Sequence, residues 1–278
     1  MRYKTAQIFL LCVPVLGATG FFGLRWFETA VTYHPTRYQP GEVWRLPAGG
    51  EDVWFRARTG ERLHGWFVRA RKQPATATVL YLHGNGGNIT NVAWIGESLA
   101  ARGLDVLLFD YRGYGRSEGE ITDEWGLYAD ADAAYDYLMN ERGVKADRLA
   151  LYGQSLGTTA AVDVASRKRC AALILESGLS SASDMAKMML PWLPQWLHGL
   201  GRNRFESARK LASITCPVLV THGTHDGVIP VEQGRALYEA AREPKRLIVI
   251  EGAGHEVAGF AGSGYIDSVV DFIRDSTR

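Results

Sequence analysis

Leu151-Tyr152-Gly153-Gln154-Ser155-Leu156-Gly157 is the stretch around which the rest of the chain is organised. A short apolar run, Leu149 to Tyr152, predicts a buried strand, and the small residues from Leu156 to Ala165 predict a helix. The G-x-S-x-G between them predicts a sharp strand-to-helix turn with Ser155 at its apex. Gly153 and Gly157 remove the side chains that would collide where helix and strand cross. The serine hydroxyl is thereby lifted above the sheet at a helix N-terminus, where the dipole and free N–H groups favour negative charge. A lone G-x-S-x-G is common, so the reading depends on an acid and a histidine following downstream, in that order.

Working outward, short apolar runs alternate with helical patterns. Asp52 to Arg58 and Leu63 to Ala70 predict an antiparallel pair around Thr59-Gly60-Glu61-Arg62. Strands are expected at Thr78–Leu82, Leu104–Phe109, Ala171–Leu175, Pro217–Thr221 and Leu247–Ile250. Helices are expected up to Ala101, from Glu124 to Asn140, and at the end, where Ile266, Val269, Val270 and Ile273 repeat at helical spacing. This alternation predicts an α/β domain whose mostly parallel sheet is covered on both faces. Gly178 to Arg209 interrupts it with Met185, Met188, Met189, Leu190, Trp192, Leu193, Trp196 and Leu197, and is too long for a plain loop. It is expected to be a lid, either in adaptable contact with a greasy substrate or simply packed on the sheet.

Serine needs a base, and the base needs an orienting acid. Ligands of an open α/β sheet gather at the carboxyl ends of strands. Asp226 follows one such strand in Thr221-His222-Gly223-Thr224-His225-Asp226, and His255 follows another in Glu251-Gly252-Ala253-Gly254-His255. Glu176 is the rival acid, and His222 and His225 are rival bases, although both are better suited to shaping the Asp226 loop. Asp110 and His64 read as structural. The oxyanion would take the backbone N–H of Leu156 and one from His83-Gly84-Asn85-Gly86, Asn85 ahead of Gly86. That loop lacks the spacing of a phosphate-binding loop. No metal-ligand set or cofactor fingerprint is present.

With 278 residues and a formal charge of +1, the chain suits one large domain, and nothing in it points to nucleic acid. Its three cysteines, Cys12, Cys170 and Cys216, are too scattered for a disulfide framework. Arg2 and Lys4 precede an uncharged run from Thr5 to Leu24, about twenty residues and so roughly 30 Å as a helix. A signal anchor in residues 1–29 is the leading reading. A signal peptide cleaved near Ala18-Thr19-Gly20 and a buried helix are its rivals. An anchor with Arg2 and Lys4 in the cytoplasm would export residues 30–278, although Arg25 on the other flank counts against that orientation. Residues 30–47 read as a linker onto the domain.

Taken together, His83-Gly84-Asn85-Gly86-Gly87-Asn88, Asp110-Tyr111-Arg112-Gly113-Tyr114-Gly115-Arg116-Ser117, the Ser155 turn, Gly223-Thr224-His225-Asp226 and Gly254-His255 resemble the α/β-hydrolase superfamily. More narrowly, they are similar to its small-lid, often N-terminally anchored branch of serine-aminopeptidase-like hydrolases and depalmitoylases. The chain differs from that branch at Gly86, often alanine there, and at Ser177-Gly178-Leu179, where Ser-Pro-Phe is common. The resemblance implies a catalytic Ser155–His255–Asp226 triad with an oxyanion hole at Asn85 and Leu156. It implies an acyl-enzyme route needing no cofactor, acting on an ester or thioester with an apolar acyl group. A peptidase or amidase using the same residues, or a membrane-tethered binding protein without turnover, are the alternatives.

Overall fold

A computed structural model describes residues 23–192, 194–195, 198–199 and 201–277. The anchor or signal-peptide reading falls mainly on residues 1–22, outside the described residues. Among the described residues no helix is long and apolar enough to cross a membrane.

The sheet is built from β1 (Gly50–Arg56), β2 (Arg62–Val68), β3 (Ala77–Leu82), β4 (Leu104–Phe109), β5 (Leu149–Gln154), β6 (Ala172–Glu176), β7 (Val218–Gly223) and β8 (Lys245–Ile250). Their order across the sheet is β1-β2-β4-β3-β5-β6-β7-β8. β2 runs antiparallel to both its neighbours, and every other pairing between these strands is parallel. The strand that carries Ser155 is therefore central, flanked by β3 and β6.

Both faces of the sheet are covered, which is why its middle strands are apolar runs and not alternating ones. In β5, Leu149 and Leu151 point to one core with helices α3 (Glu124–Asn140) and α4 (Leu156–Arg167). Ala150 and Tyr152 point to the other core, with α2 (Ile89–Ala101) and α8 (Val257–Ser276). Truncating a buried leucine in such a strand, Leu151→Ala for instance, costs about 2–5 kcal/mol.

The N-terminal segment differs from the expected linker. Residues 23–32 form a helix, α1. Its Glu28 carboxylate accepts from the backbone N–H groups of Arg202 (2.9 Å) and Asn203 (2.6 Å), in the segment between β6 and β7. Beyond it, His34–Pro35 pair in parallel with Gly86–Gly87, and Arg37 bridges to Gly115. A ladder of two residues carries no periodicity, so the sequence could not announce it. This strap ties 30–47 onto the loop that follows β3.

Candidate active site

Ser155 is where the chain pays for its geometry: φ is +54° and ψ −122°, a conformation rarely adopted by a residue with a side chain. Its N–H donates to the Glu176 carbonyl at 2.8 Å, fixing the turn from the neighbouring strand end. A Cβ on Gly157 would lie 2.0 Å from the Leu82 carbonyl oxygen, and one on Gly153 would lie 2.6 Å from the Gly157 oxygen. Any side chain at either position would push α4 away from the sheet, so the glycines are steric requirements of this crossing.

His255 sits in the turn between β8 and α8, with Nε2 2.8 Å from Ser155 Oγ and Nδ1 2.8 Å from Asp226 Oδ2. Asp226 is buried, and its carboxylate is fully engaged. Oδ1 accepts from the backbone N–H of Val228 and Ile229, both at 2.9 Å, and His222 Nε2 lies 3.2 Å from Oδ2. Burial pushes the Asp226 carboxyl up, but hydrogen bonds from His222, His255 and the Ile229 N–H outweigh it and hold the group well below the usual carboxylate range. An ionised carboxylate only accepts, so Nδ1 of His255 carries the proton and Nε2 is left to receive the serine O–H. The arrangement is poised to move the Ser155 proton onto His255.

The rival residues are elsewhere. Neither oxygen of Glu176 bonds to His255. Oε2 accepts from the Tyr152 and Tyr265 hydroxyls, and Oε1 from the Ala258 N–H at 3.1 Å. His222 donates its Nε2 proton toward the Ile229 carbonyl at 2.8 Å as well as lying beside Asp226. His225 is exposed on the loop. His64 is buried beside Asp52, with Nε2 at 2.7 Å from Oδ1. Asp110 accepts the Ile89 N–H at 2.9 Å and so holds the start of α2, directly after the His83–Asn88 loop. Among the described residues no cluster of His, Cys, Asp or Glu is disposed to hold a metal ion.

Leu156 opens α4, so its N–H is one that the helix leaves without an internal acceptor. Asn85 lies across from it, and both line one cavity with Ser155. Asn85 is gripped on several sides. Its carbonyl accepts from His34 N–H (3.0 Å) and the Tyr114 hydroxyl (2.8 Å), and its Nδ2 donates to the Thr32 carbonyl (3.1 Å). The strap from the N-terminal segment thus holds the carbonyl and side chain of Asn85, a contribution with no local sequence signal. Ser177, itself at φ +50°, donates its hydroxyl to the His255 carbonyl at 2.8 Å and steadies that loop.

The cavity above Ser155 measures about 1020 Å³. Leu24, Phe27 and Val31 of α1 form one wall. Met185 and Met189 of α5 (Ala182–Met189), with Leu190, form another. No residue of α5 is fully buried; Ala182 and Met185 rest against the core, while Met189 and Leu190 are exposed. Met188 receives the Gln233 side-chain N–H instead, and Trp192 is exposed. Leu193, Trp196 and Leu197 lie outside the described residues.

The sheet order, the elbow and the strand-end loops define an α/β hydrolase, and the chain belongs to the α/β-hydrolase family. A family profile described as alpha/beta hydrolase fold matches residues 77–216, and one described as serine aminopeptidase, S33, matches residues 193–259. Among curated relatives, the uncharacterized protein Rv2307c of Mycobacterium tuberculosis is 39% identical, with 88% of this chain and 87% of that one covered. YfhR of Salmonella typhi, also an uncharacterized protein, is 38% identical over 82% of each chain. Human alpha/beta hydrolase domain-containing protein 17B is 35% identical, covering 79% of this chain and 74% of its own. Among solved structures, the Pyrococcus furiosus esterase Pf2001 superposes with a TM-score of 0.71 at 22% identity, covering 89% of this chain and 98% of the esterase. At that identity the likeness speaks for the fold.

Proposed function

We propose that the protein is a serine hydrolase that cleaves carboxylic esters or thioesters bearing an apolar acyl group. The observation that carries this reading is the unbroken relay from Ser155 through His255 to Asp226, at 2.8 Å on both links, opening onto the large cavity. In the reaction, Ser155 Oγ attacks the carbonyl carbon while its proton passes to His255 Nε2. The Asn85 and Leu156 N–H groups stabilise the oxyanion, and Asp226 stabilises the imidazolium. His255 then protonates the departing alcohol or thiol. Water, activated by the same imidazole, frees the acid from Ser155.

The acyl preference follows from the walls: Leu24, Phe27, Val31, Met185, Met189 and Leu190 present carbon and sulfur. Amide hydrolysis is the competing reading, since part of the chain matches the serine aminopeptidase profile. An aminopeptidase needs an anion for the substrate ammonium, and the cavity carboxylates are held by groups of the protein itself, two of them by cations. Glu28 holds Asn203, Asp184 pairs with Lys187, and Glu206 pairs with Arg209. That favours the ester.

We also propose that residues 5–24 attach the protein to a membrane, with the hydrolase domain on the exported side. Exposed Trp26 and Phe27 of α1, beside the cavity wall, suit an interfacial position. Alkaline phosphatase fused after residue 29 should be active; an intact but inactive fusion would overturn the orientation.

The test of the chemistry is fluorophosphonate labelling of detergent-solubilised protein beside Ser155→Ala, followed by an ester series of rising chain length. Labelling of the wild type alone, with kcat/KM rising along the series, is expected. Absence of labelling in folded wild type would favour a binding protein without turnover, and equal cleavage of acetyl and palmitoyl esters would remove the apolar acyl preference.

A further inference from the structure

On the far side of the sheet from Ser155, at the amino ends of the strands, two thiols that the sequence separates come together. Cys170 and Cys216 are 46 positions apart, yet their sulfurs are 3.4 Å from each other. Each lies two residues ahead of a strand, Cys170 before β6 and Cys216 before β7, and these neighbouring parallel strands are in register from Leu173 and Val218 onward. The pairing is therefore set by the sheet itself, not by a mobile loop. Both residues are partly exposed and line a cavity of about 440 Å³ with Arg169, Ala171 and Thr215, so a reagent in solution can reach them.

We propose that Cys170 and Cys216 are a disulfide site: thiol–disulfide exchange with a small-molecule or protein disulfide joins them into a clamp across the roots of β6 and β7. The chain between them contains β6 and the whole lid, residues 178–209, so the clamp closes the base of the excursion that roofs the cavity. A disulfide bond is about 2.05 Å long. Closing the gap therefore takes roughly 1.4 Å of sulfur movement, within reach of side-chain rotation.

The chemistry has a defined order. The hydrogen bond between the thiols holds Cys216 below the usual thiol range and, together with burial, pushes Cys170 well above it. With Cys216 as the thiolate, its attack on the incoming disulfide comes first. Its sulfur bonds to one sulfur of the incoming disulfide and expels the other as a thiol. Cys170 then loses its proton and attacks the Cys216 sulfur of the mixed disulfide, releasing the second thiol. Two protein thiols and one external disulfide become one intrachain disulfide and two external thiols.

The test uses the full-length chain carrying Cys12→Ser, equilibrated with oxidised or reduced glutathione and mapped by peptide mass without reduction. A cross-linked peptide pair containing Cys170 and Cys216, lighter by two hydrogens and separated by dithiothreitol, is expected. A stable glutathione adduct on either cysteine with no cross-link, or no reaction at all, would overturn the proposal. A protease cut within the lid gives a second readout. The two fragments of oxidised protein should stay together on a non-reducing gel, whereas those of Cys170→Ser or Cys216→Ser should separate. The oxidised form should melt roughly 5–10 °C above the reduced form, and equal melting would remove the clamp.

Discussion

Two buried carboxylates stand at the ends of adjacent strands, Glu176 as the last residue of β6 and Asp226 just beyond β7, and they have opposite surroundings. Asp226 receives N–H donors on both oxygens, two from backbone and others from His255 and His222, and is held ionised. Glu176 is pushed up by burial, and its donors, the Tyr152 and Tyr265 hydroxyls and the Ala258 N–H, reduce that shift without cancelling it. Position at a strand end makes both look eligible as the acid. The partners separate them: Asp226 touches the imidazole, while Glu176 braces the first turn of α8 just after His255 and, through its carbonyl, the Ser155 N–H.

The largest expected effect distinguishes the two directly. Asp226→Asn should lower kcat/KM by about 10³- to 10⁴-fold, because an amide neither fixes the tautomer nor stabilises the imidazolium. Glu176→Gln should change kcat/KM by less than about 10-fold while lowering unfolding stability by roughly 1–3 kcal/mol. Esterase kinetics and urea melts of both variants check this, and a reversal of the two would break the contrast.

His222 refines the picture. It lies within reach of both Asp226 and the Ile229 carbonyl, so His222→Ala should cost about 1.5–3 kcal/mol of stability through a lost hydrogen bond to a charged group. Activity should fall less than with Asp226→Asn.

The pH dependence of stability has opposite signs at the two sites. Asp226 titrates lower in the folded state than unfolded, so its contribution is present above about pH 4 and is lost as pH falls through the folded value. Glu176 titrates higher folded than unfolded, so stability is lost as pH rises from about 4.3 through its raised value. Unfolding free energy followed from pH 3 upward should lose the first slope in Asp226→Asn and the second in Glu176→Gln.

The smallest effect belongs to the cavity wall. Met185→Ala should lower kcat/KM for long-chain esters by roughly 3- to 10-fold, with little change for acetyl esters, since about 1 kcal/mol of apolar contact is removed.

Much of this architecture could be read from the chain because its middle strands are buried on both sides. The runs at Leu149–Gln154 and Leu104–Phe109 and the helix Glu124–Asn140 stand out without any partner. The order Ser155, Asp226, His255 was legible for the same reason: each follows an apolar strand. Helix α7 (Val231–Ala240) was not, because Gly234 sits in its middle and only Gln233, Gly234 and Leu237 are buried. The strap on Asn85 and the approach of Cys170 to Cys216 were equally hidden. Both are long-range pairings of one or two residues, made by the fold and not by any local pattern. The bracing role of Glu176 had no signal either, since its partners Tyr152 and Tyr265 come from different layers of the sequence.

The central claim is that Ser155 is activated by His255 oriented on Asp226. Its most direct test is the rate of fluorophosphonate labelling of Ser155 in folded wild type, Asp226→Asn and Glu176→Gln, measured side by side at pH 7. Slow labelling of Asp226→Asn alone, with Glu176→Gln close to wild type, is the result expected. Equal labelling of wild type and Asp226→Asn, or collapse of labelling in folded Glu176→Gln alone, would contradict it.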